Sequence, residues 1–161
     1  MVTETGDASL KVTVKSDLEI VLTRVFNAPR MLVFEAHSKC EHLEHWWGRR
    51  GSTLACEMDF RPGGSYRFVS KEPDGAEYAF RGEFREIVAP ELLVYSFEFE
   101  PMPGHVSVDS IVFEEQDGKT TVICTTSFAS IEDRDGMLQS GMEAGAAESY
   151  DRLEELLRTL S

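Results

Sequence analysis

The C-terminal segment constrains the fold of this chain more than any other part, because it carries a long helical stripe. Small and apolar residues recur there at spacings of three and four, namely Met142, Ala146, Ser149 or Tyr150, Leu153, Leu157 and Leu160. Two charged pairs four residues apart, Glu148 with Arg152 and Glu154 with Arg158, favour the same helix from its outer face. The stripe predicts a helix long enough to span a sheet, so the fold depends on whether the preceding sequence forms one.

The preceding sequence alternates between apolar and polar residues as β-strands do. A brief alternation falls at residues 10–14, and longer ones predict strands at 18–25, 54–60, 66–69, 78–87, 92–99, 106–115 and 120–128. The turn sequences Pro73-Asp74-Gly75 and Asp117-Gly118 predict two of the hairpins. After the first long strand, two short helices are predicted at 29–37 and 41–46, with a glycine just beyond the second.

This order predicts an α+β fold: one strand, two short helices, an antiparallel meander of five or six strands, and a long helix. Only the final helix is long enough to cover the apolar face of the sheet, so we expect the sheet to curl around it. No linker, repeat or low-complexity segment interrupts the pattern. We therefore predict a single domain over residues 17–161, preceded at 1–16 by a polar tail or edge strand, which suits a chain of 161 residues.

The charge of the chain argues against two classes of partner. Sixteen Lys and Arg residues against 29 Asp and Glu residues give a net charge of −13, which repels nucleic acids and anionic membrane surfaces. No apolar run reaches the length of a membrane-spanning helix, and no signal peptide pattern is present. The three scattered cysteines, Cys40, Cys56 and Cys124, form no paired motif. We expect them to be reduced thiols in a cytoplasmic protein.

Several short motifs follow one another in an order typical of a known family. They are RVFNAPR at 24–30, WWG at 46–48, EMDFRPGG at 57–64, PDG at 73–75, GEFREI at 82–87, GMEAG at 141–145 and SYDRL at 149–153. Over about residues 17–160 the chain resembles the heat-shock-protein ATPase activator homologue family, within the START and birch-pollen-allergen-like (SRPBCC) superfamily. Two places depart from the family pattern: Arg49 and Arg50 replace a proline after WWG, and Lys39-Cys40 replaces Asp-Pro.

The resemblance implies a helix-grip fold with a cavity between the curled sheet and the long helix. The sequence offers a lining for it, with aromatic residues at alternating strand positions and small or flexible ones at the start of the helix. The candidate cavity residues are Trp46, Trp47, Tyr66, Phe68, Tyr78, Phe80, Tyr95, Phe97, Phe113, Gly141, Met142 and Gly145. The alternative is that the aromatic residues fill a solid core. Likewise the two glycines, expected inside the helix, allow either close contact with the sheet or room for a guest.

Other candidate chemistry is sparse in the sequence. His42 and His45 lie three residues apart near Cys40 but lack a third ligand from a distant element, so we expect a solvated helix face and no metal. No nucleophile motif is present. A buried strand carboxylate could act as a general acid or base, and the candidates are Glu57, Asp59, Glu77, Glu83 and Glu86. Most of these should face water, and Asp59 should pair with Arg61 at a turn.

These observations predict a non-catalytic, cytoplasmic protein that binds a small apolar or aromatic molecule without a cofactor. One alternative is a cofactor-free cyclase, aromatase or hydrolase in the same cavity, which needs a buried, pKa-shifted group there. Another is a domain that modulates a chaperone ATPase, which needs a contiguous exposed patch. The separate chaperone-binding domain of the eukaryotic activators is not expected, because only sixteen residues precede the first predicted long strand. The sequence favours no particular oligomeric state.

Overall fold

A computed structural model describes residues 10–160 of the chain. The strands are β1 (Lys11–Val14), β2 (Glu19–Phe26), β3 (Thr53–Met58), β4 (Ser65–Lys71), β5 (Glu77–Val88), β6 (Leu92–Phe99), β7 (Ser107–Gln116) and β8 (Lys119–Ser127). The helices are α1 (Arg30–Ser38), α2 (Cys40–Trp46), α3 (Ile131–Gln139) and α4 (Met142–Leu160). Of the expected tail or edge strand at 1–16, residues 1–9 lie outside the described residues, and β1 follows them.

All eight strands form one antiparallel sheet in the order β1-β2-β8-β7-β6-β5-β4-β3. From β3 to β8 the strands pair with their sequence neighbours, as the predicted meander requires, and β2 pairs with β8, which the sequence did not predict. A row of apolar residues crosses the inner face, because the register pairs Leu22 with Cys124, Cys124 with Ile111, and Ile111 with Leu93. The structure confirms the predicted α+β helix-grip fold, with the sheet curled around the C-terminal helix.

Helix α4 is buried along its second half. Tyr150, Leu153 and Leu157 of the predicted stripe are its buried residues, and the Tyr150 ring packs edge-on against Phe26 of β2 at 5.5 Å. Beside this contact the buried guanidinium of Arg24 donates to Asp151 at 2.7 Å. These contacts attach one half of α4 to the first long strand.

Among the described residues, no helix is long and apolar enough to cross a membrane.

Helix α4 is also fastened to the end of α2. Arg152 does not pair with Glu148 as predicted; its guanidinium donates to the carbonyl oxygens of His45, Gly48 and Arg49 at 2.9–3.0 Å. These oxygens lie at or just beyond the C-terminus of α2, where helical carbonyls lack partners within the helix. The arginine thus closes a helix end and holds two elements together, which stabilises more than an exposed ion pair would.

The helical C-terminus is divided, which corrects the prediction for one of the two glycines. Ser130 caps α3 by accepting a hydrogen bond from the Asp133 backbone N–H at 3.1 Å. Gly141 then adopts a φ of +84° between α3 and α4, a conformation that glycine favours. Gly141 therefore lies at the break between two helices, and only Gly145 lies within α4.

The expectation of three reduced thiols is wrong for two of them. Cys40, the first residue of α2, forms a disulfide with Cys56 of β3 across a Cα–Cα distance of 5.5 Å, while Cys124 is free and buried. A separation of sixteen residues gave no sign of this pairing, which arises only because α2 packs beside β3. The disulfide also removes the reduced-thiol argument for a cytoplasmic location.

Gly82 of β5 allows a direct test of how closely the strands of the sheet pack. A Cβ at this position would lie 1.9 Å from the Ser96 carbonyl oxygen and 2.7 Å from the Tyr66 ring. Because the backbone of a central strand cannot yield, we expect Gly82→Ala to lower the free energy of unfolding by at least about 1–3 kcal/mol. Gly136→Ala in α3 meets nothing within 4 Å and should raise it by up to about 1 kcal/mol. Urea denaturation measures both, and equal effects would contradict this packing.

The disulfide should contribute directly to stability. Closing a loop of this length restricts the unfolded chain, which is worth about 3 kcal/mol in the entropic model. We expect Cys40→Ser with Cys56→Ser to lower the thermal midpoint, and we expect dithiothreitol to lower the wild-type midpoint to a similar value. The double variant itself should not respond to dithiothreitol. A wild-type midpoint unchanged by the reductant would contradict a stabilising disulfide.

Candidate functional site

A cavity of about 920 Å³ lies between the inner face of the sheet and the first half of α4. Strands β4 to β8 supply much of its wall, and residues of β2, β3, the three other helices and the connecting segments supply the remainder. Tyr78, Met102 and Val106 border it and are among the exposed large apolar residues, so they mark its mouth. The cavity exists because α4 is buried only along its second half, which leaves the first half standing off from the sheet.

Of the twelve candidate cavity residues, all but one border this space. The residues on its wall are Trp46, Trp47, Tyr66, Phe68, Tyr78, Phe80, Tyr95, Phe97, Gly141, Met142 and Gly145. Phe113 does not reach it; its side chain is 1% exposed and packs against Phe34 and His37, with ring centroids 5.3 and 5.1 Å away. The alternation of β7 turned Phe113 inward as expected, but at a point where α1 covers the sheet.

The aromatic wall is a set of rings in edge and stacked contact. Trp47 meets Phe68 at 5.1 Å and Phe80 at 5.3 Å, both edge-on, and Phe80 stacks on Phe97 at 5.2 Å. Such pairs add stability beyond the area that they bury. The aromatic residues therefore pack against one another as in a core, yet together they enclose a space rather than fill it.

A carboxylate that the sequence analysis missed borders the same cavity. Asp109 of β7 shares the inner face with Ser107 and Ile111 and lines the cavity. It accepts a hydrogen bond from the Thr126 hydroxyl at 2.6 Å and another from the Tyr95 hydroxyl. Burial raises the pKa of Asp109 to about 6, although these two hydrogen bonds act in the opposite direction.

The sequence did contain a signal for Asp109. It falls at an inward position of the alternating strand predicted at 106–115, where an apolar residue is expected. The five strand acids that were considered instead are all exposed, and Asp59 pairs with Arg61 at 2.8 Å as predicted. An acid on the apolar face of a strand was the more informative pattern.

Burial keeps the groups around Asp109 protonated. Burial is the largest cause that raises the pKa values of the Tyr66, Tyr95 and Tyr150 hydroxyls and of the Cys124 thiol, and the nearby Asp109 charge raises all four further. The Tyr66 hydroxyl donates to the Ser96 carbonyl oxygen at 2.6 Å. Near neutral pH the inner cavity therefore holds one carboxylate among neutral hydroxyls and aromatic rings.

His37 of α1 is a second polar group at the cavity wall that the sequence analysis passed over. Its Nδ1 lies 2.8 Å from the Val33 carbonyl oxygen, and because a carbonyl only accepts, Nδ1 carries the proton. Burial lowers the pKa of His37 to about 4, against the effect of that hydrogen bond. Neutral His37 thus keeps a bare lone pair on Nε2, which is buried and has no hydrogen-bond partner among residues 10–160.

The glycines at the rim of the cavity face Arg49, not the sheet. A Cβ at Gly145 would lie 3.4 Å from Arg49 Nε, and a Cβ at Gly141 would lie 3.4 Å from Arg49 Nη2. The exposed guanidinium also donates to the Gly141 carbonyl oxygen at 3.4 Å. Room is therefore present beside these glycines, and a flexible arginine side chain occupies part of it.

The histidines of α2 do not form a metal site. His42 and His45 lie on α2, whose first residue, Cys40, is held in the disulfide. Across residues 10–160, no group of three or more His, Cys, Asp or Glu side chains is placed to hold a metal ion.

The two buried titratable groups should make stability depend on pH in opposite directions. Asp109 has a pKa of about 6 in the folded chain against an ordinary 3.8, so the native state takes up the extra proton and is stabilised as pH falls through that range. His37 has a folded-state pKa of about 4 against 6.5, so acid favours the unfolded chain. In the wild type these effects largely cancel between pH 4 and 6.

Removing either group should reveal the pH dependence of stability that the other group causes. We expect Asp109→Asn to lose about 2–3 kcal/mol more than the wild type in its free energy of unfolding when the pH falls from 6.5 to 4. We expect His37→Gln to lose less than the wild type over the same range. Urea denaturation at several pH values measures the slopes, and three parallel profiles would contradict these environments.

Comparisons with known proteins identify a family model and solved structures that are similar to this chain. A family model described as Activator of Hsp90 ATPase homolog 1-like protein matches residues 27–158. No curated protein matches the chain significantly. A solved structure from Rhodobacter sphaeroides is 22% identical with a TM-score of 0.87, covering 93% of this chain and 99% of that chain; at this identity the likeness concerns the fold alone.

Two further solved structures are slightly more similar in sequence. A Mycobacterium smegmatis protein is 26% identical with a TM-score of 0.83, covering 91% of this chain and 95% of that chain. A Staphylococcus epidermidis protein is 27% identical with a TM-score of 0.78, covering 94% of this chain and 95% of that chain. Because the family model matches residues 27–158, which are most of this chain, the chain belongs to the Activator of Hsp90 ATPase homolog 1-like family.

Proposed function

We propose that this protein binds a small apolar or aromatic molecule in the cavity between the sheet and α4. The observation that carries the proposal is an aromatic wall around a space of about 920 Å³, which is within the size range of small-molecule sites. A few inward polar groups among many apolar ones are typical of such sites. The eleven predicted residues on the wall would supply the apolar contacts, and Asp109 and His37 would orient the molecule.

A second candidate function is acid–base catalysis in the same cavity, and the position of Asp109 favours it. A carboxyl group whose pKa is about 6 exchanges protons near neutral pH, as a general acid or base must. Binding and catalysis are separated by what the cavity releases. A carrier returns its ligand unchanged, whereas an enzyme converts it and loses that conversion in Asp109→Asn.

The family description also raises activation of a chaperone ATPase as a function. An interaction surface requires a contiguous exposed apolar patch, and Tyr78, Met102 and Val106 instead border the cavity mouth. A chaperone partner and a cytoplasmic location stay predictions from the sequence. Stimulation of Hsp90 ATPase activity by the purified chain tests the first, and fractionation of source cells tests the second.

The first experiment is native mass spectrometry of the full chain purified without denaturation. A retained molecule, released on unfolding and identified by its mass, would support binding. Retention or capture of a small apolar molecule is the expected result. If the chain retains nothing and captures none of a panel of apolar and aromatic compounds, the proposal is wrong.

Gly145→Leu should reduce the space while keeping the fold. Its isobutyl group would displace the flexible Arg49 side chain, and replacing a glycine within a helix recovers up to about 1 kcal/mol. We expect unchanged or higher stability and at least about tenfold weaker binding of the neutral apolar dye Nile red. Ala144→Leu is the matched control, because Ala144 is the exposed neighbour on the same helix, and it should leave dye binding unchanged. A destabilised Gly145→Leu with normal dye binding would contradict a ligand site here.

A further inference from the structure

Three hydroxyl groups deep in the cavity are already committed to protein acceptors. The Thr126 hydroxyl donates to Asp109 Oδ1 at 2.6 Å, and the Tyr95 hydroxyl also hydrogen-bonds the Asp109 carboxylate. The Tyr66 hydroxyl donates to the Ser96 carbonyl oxygen at 2.6 Å. Each hydroxyl has a single proton to donate. None of these three therefore has a proton left for a molecule in the cavity.

The polar capacity that remains on Asp109 and His37 is accepting capacity. A carboxylate has about four lone-pair sites, and the structure gives Asp109 hydrogen bonds from two hydroxyls. His37 Nε2 has a lone pair, is buried, and lacks a partner among the described residues. A buried polar atom without a partner is costly and calls for an explanation. His37 borders the cavity, but its Nε2 atom has almost no accessible surface, so Asp109 is the acceptor that a ligand can reach directly.

We infer that the cavity selects apolar or aromatic molecules whose polar group donates hydrogen bonds, such as a hydroxyl or a protonated amine, and discriminates against carboxylates. The inference rests on the proposed function and specifies its ligand class. Asp109 repels an anion and attracts a cation at short range, and an aromatic wall also favours cations. The net charge of −13 favours the approach of a cation from solution as well.

Arg49 is the group that could reverse this preference. Its exposed guanidinium borders the cavity at the rim beside Gly141 and Gly145, where it could hold a carboxylate. The Arg49 side chain lies at the surface and Asp109 lines the inner face of the sheet. When a ligand inserts its polar group first, that group meets Asp109 and not Arg49. The cavity should therefore prefer a hydrogen-bond donor to a carboxylate.

The test uses four probes that share a naphthalene ring and differ in one polar group. They are 1-naphthylmethanol, 1-naphthylmethylamine, 1-(methoxymethyl)naphthalene and 1-naphthylacetic acid, titrated calorimetrically into the full chain at pH 7.5. We expect the alcohol and the amine to bind at least about tenfold more tightly than the ether and the acid. The ratio of alcohol to amine affinity then distinguishes a neutral donor from a cationic one.

Two variants show which residue is responsible. In Asp109→Asn we expect amine affinity to fall about tenfold or more, whereas alcohol affinity changes less than about threefold because the amide oxygen still accepts. Glu86→Gln makes the same carboxylate-to-amide change at an exposed position of β5 and should alter neither affinity. Should Asp109→Asn fail to fold, as circular dichroism would show, the ranking of the probes on the wild type still decides.

Different outcomes would contradict the donor preference and the proposed binding function. An ether or acid that binds the wild type as tightly as the alcohol and amine would overturn the donor preference and leave binding intact. Tight binding of the acid that is lost in Arg49→Gln would show that the rim selects anions. Failure of all four probes to bind, with Nile red also unbound, would contradict the proposed function itself.

Discussion

The attachment of the second half of α4 is the constraint on which the rest of the structure depends. Arg152 holds the carbonyl oxygens at the end of α2, Arg24 reaches Asp151 from β2, and Tyr150 packs against Phe26. All three contacts lie within the part of α4 that is buried. The first half of the helix therefore meets the sheet only across the cavity, and a helix that would otherwise seal the sheet leaves a site beside it.

Among the departures from the family pattern, Arg49 lies at the rim of this cavity, whereas Cys40 and Arg50 contact neighbouring elements. Cys40 joins α2 to β3 through the disulfide, Arg49 covers the two glycines, and Arg50 pairs with Glu155 of α4. These residues connect the segment after α2 to the elements on either side of it. We infer that ligands of other family members are a poor guide to the ligand of this chain, because Arg49, which departs from the family pattern, borders the cavity.

Asp109 is a charged residue at a strand position where the fold favours an apolar one. A carboxylate on the apolar face of a central strand is disfavoured by burial, and two hydroxyl hydrogen bonds only partly offset that cost. Folded chains usually depart from local consistency where function requires it. His37, buried with an unpartnered nitrogen, is a second departure at the same cavity, which is why both residues enter the proposal about the ligand.

The sequence by itself determined the fold class, the meander of β3 to β8 and the aromatic side of the sheet, because alternation, helical spacing and turn residues are local patterns that burial enforces. It placed Phe68 and Phe80 on one face for the same reason. Only the tertiary structure decided the Cys40–Cys56 bond, the removal of Phe113 from the cavity wall and the exposure of His37 and Asp109 to it. Each of these depends on how α1, α2 and α4 dock on the sheet, and docking brings together residues that no spacing along the chain relates.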